Sequence, residues 1–417
     1  MIDMMTQEDK HILRDLARRV DDIARSEEQQ EKRELWKRHT ALMGDRPPIF
    51  VSPEGSWREI LPDGALKCSD EFARGVEAEL RRRIFRFESI QDDTPIERVY
   101  EFPVSAIPIN EGWGMTPERL STGDERGAWR HQPVVTKPSD WKKLKKPELR
   151  VDERGAQRRQ ALLQDAVGDL LEVKVTGVKV FDFHLAHIYC DFRGLEGMLY
   201  DLALEEEMVK EVFEFFTEGF EGLIHQIEAA NLIELNNDYT YHYTGGLGYT
   251  QALPKDGFDP ANVRTQDVWA AAEAQEFSCV SPEMHAELIL PYERRLLTPF
   301  GLNGYGCCDD LTEKLDGVLE IPNLRRVAAC PWADLGKMAA RLKKQYILTW
   351  KPQPAYLAEE HFDPDFVEQY LFDSLSAAKV GYPEIILRDT HTCRAQPERF
   401  GAFVRAARRA IERVYDA

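Results

Sequence analysis

Short apolar runs alternate along this chain with longer stretches in which apolar side chains return every three or four positions. The short runs are 48–52 (PIFVS), 96–104 (IERVYEFPV), 171–183 (LEVKVTGVKVFDF), 232–237 (LIELNN), 301–306 (GLNGYG), 324–330 (LRRVAAC), 345–350 (QYILTW) and 384–388 (EIILR). Their length and their β-branched and aromatic content predict strands. Between them, 205–229, 282–297 and 365–379 repeat with the helical period and predict amphipathic helices.

Strands that alternate with helices predict a parallel sheet, and eight such units predict an α/β fold of the (β/α)8 TIM-barrel type. An open doubly wound sheet is the rival, weakened because no G-x-G-x-x-G follows an early strand. Residues 1–44 predict an N-terminal helical extension, and 45–417 the barrel. Within the barrel, 106–155 reads as an inserted excursion marked by Trp113, Trp129 and Trp141.

Composition narrows the function. The 417 residues are 43% hydrophobic, enough for a large buried core. A net charge of −19 argues against nucleic acid and strongly anionic ligands. The basic run Lys142, Lys143, Lys145 and Lys146 reads as a solvated turn. Seven cysteines without a framework spacing suit a reducing compartment. With a charged N-terminus and no apolar run of membrane-spanning length, a cytoplasmic location is expected.

In a barrel the chemistry sits on the loops that follow the strands. Those loops hold His184 and His187; Asn237, Asp238, Tyr241 and His242; Tyr305, Cys307 and Cys308; Trp332; Trp350; and Asp389, His391 and Cys393. Cys307 and Cys308 run directly into Asp309 and Asp310, and thiols beside carboxylates point to a metal or reaction site. His184 and His187 read as structural histidines. Asp238 is the candidate for substrate orientation or proton donation, with His391 and Asp389 as alternates. Tyr241, Tyr243, Tyr305, Trp332 and Trp350 could form an aromatic pocket, joined by Asn237 and His242. Gly245, Gly246 and Gly248 read as a flexible loop.

The segments RPPIF (46–50), WKKLKKP (141–147), NND (236–238), SPEMHAELILPYERRL (281–296) and YGCCDDL (305–311), with Asp389 and Cys393, give a resemblance to a known family. In their order and spacing the chain resembles the uroporphyrinogen decarboxylase superfamily, in its corrinoid-dependent methyltransferase branch, over about residues 45–415. The resemblance implies a barrel enzyme that takes the methyl group from a small substrate, with an O-methyl aromatic ether the first expectation and methylamines or methyl thiols behind. It implies transfer to cobalt(I) of a corrinoid on a partner protein docked over the strand ends. It also implies zinc, held by His-x-Cys after the fifth strand and Cys after the eighth. Here Tyr305 stands at the His position, so the expected metal set is Cys307, Cys308, Cys393 and His242, with Tyr305 among the catalytic candidates.

The related ether-cleaving enzymes show a Glu–Glu–His spacing that Glu206, Glu221 and His242 repeat. On one continuous helix those carboxylates would lie about 22 Å apart and could not share an ion. True decarboxylases of the superfamily use an arginine-rich first loop, but here FVSPEGSWREI carries Glu54 and only Arg58. Two alternatives remain: a decarboxylase of a small carboxylic acid, and a non-catalytic metal-binding or corrinoid-pathway scaffold.

Overall fold

The computed structural model describes residues 5–105, 108–121, 123 and 129–415, except the side chains of Trp129 and His131. The rest of the 106–155 expectation, at 106–107, 122 and 124–128, lies outside the described residues. Contacts divide the chain into two units, one of residues 1–104, 152–176 and 350–417, the other of 105–151 and 177–349.

In the first unit, Leu13, Ala17, Val20, Ile23 and Ala24 return at helical spacing on the helix Gln7–Ala24 and form its buried face. Thr6 caps this helix, its hydroxyl accepting from Asp9 N at 3.0 Å. The strand Ile49–Val51 runs parallel to Pro383–Leu387, with Ile49 opposite Ile385 and Val51 opposite Leu387. Its remaining donors go to side chains: Ile49 N donates to Asp93 and Val51 N to Asp92, each at 2.8 Å. Two carboxylates thus complete this edge, and Arg46 clamps Asp93 through both its terminal nitrogens at 2.8 Å.

In the second unit the strands Asp182–Phe183, Trp269–Ala272, Leu302–Tyr305 and Leu324–Ala329 lie parallel in that order. Their registers align, with Phe183 opposite Ala272, Ala272 opposite Tyr305, and Tyr305 opposite Val327. The next strand, Ile347–Trp350, neighbours Leu324–Ala329 and has its first three residues in this unit. Helices follow the strands, among them Leu185–Arg193, Pro282–Leu288 and Leu290–Leu297. The architecture is mixed α/β with mostly parallel strands, compatible with a TIM-like barrel. No pairing that closes a barrel is found among the described residues.

Four details differ from the sequence reading. The 171–183 run is two strands. Glu172–Thr176 pairs with Val99–Pro103 in the first unit, and Asp182–Phe183 pairs with Trp269–Ala272 in the second. Gly177 marks the break, where an added Cβ would lie 2.1 Å from Leu232 O, so only glycine lets the backbones approach this closely. The 232–237 run makes one parallel bridge, Val178 to Ile233, rather than a full strand. Asn236 replaces the missing ladder: its Oδ1 accepts from Trp269 N, and its Nδ2 donates to Lys179 O and Trp269 O.

Trp269–Ala272 (WAAA) was not expected as a strand, because three alanines carry the strongest helix propensity and no β-branched signal. The glycine segment is an ordered turn rather than a flexible loop, closed by Gly245 N to His242 O at 2.8 Å and His242 N to Gly246 O at 3.1 Å. The excursion also packs tightly where it is described. Trp113 is buried against Phe216 and Phe220, and a Cβ on Gly219 would strike its ring. Among the described residues no helix is long and apolar enough to cross a membrane.

Candidate active site

Aligned parallel strands end at one level, so the residues that follow them share one edge of the sheet. In the second unit these are His184 after Asp182–Phe183, Glu273 after Trp269–Ala272, Gly306 to Asp310 after Leu302–Tyr305, and Cys330 after Leu324–Ala329. Carboxyl ends of parallel strands are where α/β folds place their chemistry.

Gly306 makes the turn possible. Its φ is +89°, and a Cβ there would lie 2.5 Å from Leu311. Cys307 N then donates to Asp309 Oδ1 at 3.2 Å, which folds the loop back on itself. The two thiols face each other, Sγ to Sγ 3.5 Å, with Cys307 buried and Cys308 half-buried. Tyr243 hydrogen-bonds the Cys307 thiol, and burial and then the charge of Cys307 push its phenol up. The Tyr243 ring rests on His184, centroids 4.1 Å apart. Burial, with His187 nearby, lowers His184 to about 3 and keeps it neutral.

Glu273 is fully buried beside this loop. Its Oε2 accepts from Gln275 N at 2.8 Å, and Oε1 has no hydrogen-bond partner among the described residues. Burial first, then the charges of Glu276, Cys307 and Asp309, raise its carboxyl well above the ordinary range, which favours its protonated form. Glu276 instead bonds His187 Nδ1 at 2.8 Å, and that bond raises the imidazole.

Behind the strand, Tyr305 is fully buried on the side of the two following helices. Its hydroxyl donates to Glu293 Oε2 at 2.6 Å and lies 2.8 Å from His285 Nε2. Burial raises Glu293 to about 8. Burial, then Lys314, lowers His285 to about 3.

The other expected residues are placed as follows. Asp238 accepts Lys179 Nζ at 2.6 Å and Thr240 N at 2.9 Å, an ion pair combined with a turn cap. Asn237 donates to Leu253 O at 2.8 Å. Tyr241 bridges Leu247 across the glycine turn. His242 is buried on the Trp269 ring, and burial, then Arg326, keeps it neutral. Trp332 is 63% exposed.

Four of the expected residues belong to the first unit. There Cys393 donates its thiol to Glu59 at 3.3 Å, and burial, then Glu59, pushes that thiol up to about 11. Asp389 and His391 are exposed in the same loop, Asp389 with φ +57° and its N–H on Glu54. Trp350 is buried against Tyr370. Glu206 and Glu221 lie on the single helix Glu206–Ala229 and pair with Lys210 and Arg295, as their wide separation requires.

Among the described residues no three His, Cys, Asp or Glu side chains are arranged to hold one ion. The thiols of Cys307 and Cys308 offer two soft donors, and the protonated thiol of Cys393 is engaged by Glu59. Glu273, Glu276, Glu293 and His285 were not singled out from the sequence. The available signal was an acid ending the run WAAAE, hidden because that run does not read as a strand.

No family model matches the chain, and no curated protein matches it. Among solved structures it is similar to a methyltransferase from Methanosarcina mazei, with a TM-score of 0.50 and 11% identity over 90% of this chain and 97% of that one. At that identity the likeness is one of fold.

Proposed function

We propose that the chain is a methyltransferase that demethylates a small methylated substrate, with an O-methyl aromatic ether the leading class, and passes the methyl group to a corrinoid carried by a partner protein. The observation that carries this reading is the fully buried Glu273, its Oε1 without a partner among the described residues, beside Cys307 and Tyr243 at the carboxyl ends of parallel strands. The likeness in fold to the methyltransferase from Methanosarcina mazei supports it.

When the carbon–oxygen bond of an ether breaks, the oxygen keeps the electron pair and must be neutralised. Burial favours the protonated form of Glu273, and its unbonded Oε1 is the group to deliver a proton. Tyr243 and His184, their rings tilted by 49° with centroids 4.1 Å apart, offer aromatic surface for a methoxylated ring. Asp238, the sequence candidate for this acid, is held by Lys179 and suits orientation better. A reduced corrinoid would supply the nucleophile at cobalt. Zinc, which the family resemblance implies, would find two donors in Cys307 and Cys308; with no third among the described residues, no step is assigned to it.

The test is a methyl-transfer assay with O-, N- and S-methyl donors and a chemically reduced corrinoid, read as methyl–cobalt absorbance. The wild type should transfer from the O-methyl donor, and Glu273→Ala should lose about 10²- to 10⁴-fold. No methyl–cobalt from any donor class would overturn the reading. Release of carbon dioxide from a small acid would favour the decarboxylase instead.

A further inference from the structure

We propose that Cys307 and Cys308 are a site of reversible oxidation by hydroperoxides, closing to a disulfide between neighbouring residues. The inference concerns the thiols themselves and stands apart from the methyl-transfer reading.

Three observations on the loop support it. The sulfurs are already 3.5 Å apart, so closure needs only local adjustment of these two residues and the peptide unit between them, with no movement of elements. The loop is built to hold them so, by the left-handed Gly306 on one side and the Cys307 N–Asp309 bond on the other. Their exposures also differ: Cys308 is half-buried and reachable, while Cys307 is 5% exposed.

The chemistry balances with a hydroperoxide as the two-electron oxidant. The Cys308 sulfur attacks the terminal peroxide oxygen. A sulfur–oxygen bond forms, the oxygen–oxygen bond breaks, and the thiol proton leaves with the alkoxide as an alcohol (as water when the oxidant is hydrogen peroxide). The Cys307 sulfur then attacks the sulfenic sulfur of Cys308. The sulfur–sulfur bond forms, hydroxide leaves, and the Cys307 proton converts it to water. Two thiols have lost two electrons and the peroxide has gained them.

A lone sulfenic acid proceeds to irreversible acids, but a neighbouring thiol intercepts it. Adjacent Cα atoms are about 3.8 Å apart, below the ~4.4–6.8 Å of ordinary disulfides. The ring is therefore strained, and strained disulfides are the readily reduced, regulatory kind. Of the other cysteines, Cys68, Cys190, Cys330 and Cys393 are buried and Cys279 is exposed.

The experiment treats the protein as purified with a small excess of hydrogen peroxide, quenches it, and counts thiols after denaturation. The count should fall by two, peptide mass mapping should place the loss of two hydrogens on the peptide holding Cys307 and Cys308, and a dithiol reductant should restore both. In Cys308→Ser the loss of two thiols should disappear, which separates this pair from any other. An unchanged count, a loss mapped elsewhere, or Cys308 carried to sulfinic acid with Cys307 still a thiol would each overturn the proposal. None of these readouts uses methyl transfer, so failure here is distinct from failure of the functional reading.

Discussion

The Tyr305 hydroxyl donates to Glu293 Oε2 at 2.6 Å in a fully buried setting, which ties the strand Leu302–Tyr305 to the helix Leu290–Leu297. The same hydroxyl meets His285 on the preceding helix, so one phenol serves two helices. Removing it leaves two buried polar groups without their partner. Tyr305→Phe should cost about 1–3 kcal/mol, read as a lower denaturation midpoint with an unchanged slope. A midpoint equal to wild type would show that the network does not hold the helices.

Glu293 also sets a pH dependence. Burial raises its carboxyl to about 8 in the folded chain, against an ordinary value near 4.5. The folded state therefore holds this proton more tightly than the unfolded state does. Its contribution is full below about pH 4.5 and is lost as pH rises towards 8. Removing the ionisation with Glu293→Gln should flatten the fall in stability across that window. Parallel stability curves for variant and wild type would contradict the assignment.

In the first unit the sign reverses. Burial pulls the Glu59 carboxyl up, but bonds from Thr392, Ala395 and Cys393 more than offset it and bring it to about 2. The contribution of Glu59 is present above about pH 4.5 and lost as pH falls towards 2. Glu59→Gln should weaken protection from amide exchange around 389–395 at neutral pH and reduce the extra loss on acidification. The positive φ of Asp389, Arg394 and Ala395 makes that loop the place to look.

Gly306→Ala should destabilise the chain by about 1–3 kcal/mol, through the left-handed backbone and the approach to Leu311. Chemical denaturation measures it. The same variant should shift the thiol loop, read as a changed rate of labelling at Cys308. A variant with wild-type stability and labelling would show that the turn accepts a side chain.

The α/β character was legible because apolar period and strand length are local properties, and both survive in one dimension. Strands near 48–52, 301–306, 324–330, 345–350 and 384–388 were found this way, as was the thiol-bearing turn after Tyr305. Trp269–Ala272 was not, since alanine packs between neighbouring strands for reasons its own sequence does not carry. Nor did the chain reveal that Asn236, Asp92 and Asp93 finish backbone edges with side chains, which depends on residues from 33 to 44 positions away.

The site divides along the same line. Residue type marked Cys307 and Cys308 as reactive, because adjacent thiols before two acids are conspicuous in any context. Whether an acid is protonated depends on desolvation and on the charges around it, and those exist only once strands lie in register. Tertiary structure therefore decided that burial pushes the Glu273 carboxyl up, that Asp238 is tied to Lys179, and that Cys393 is engaged by Glu59.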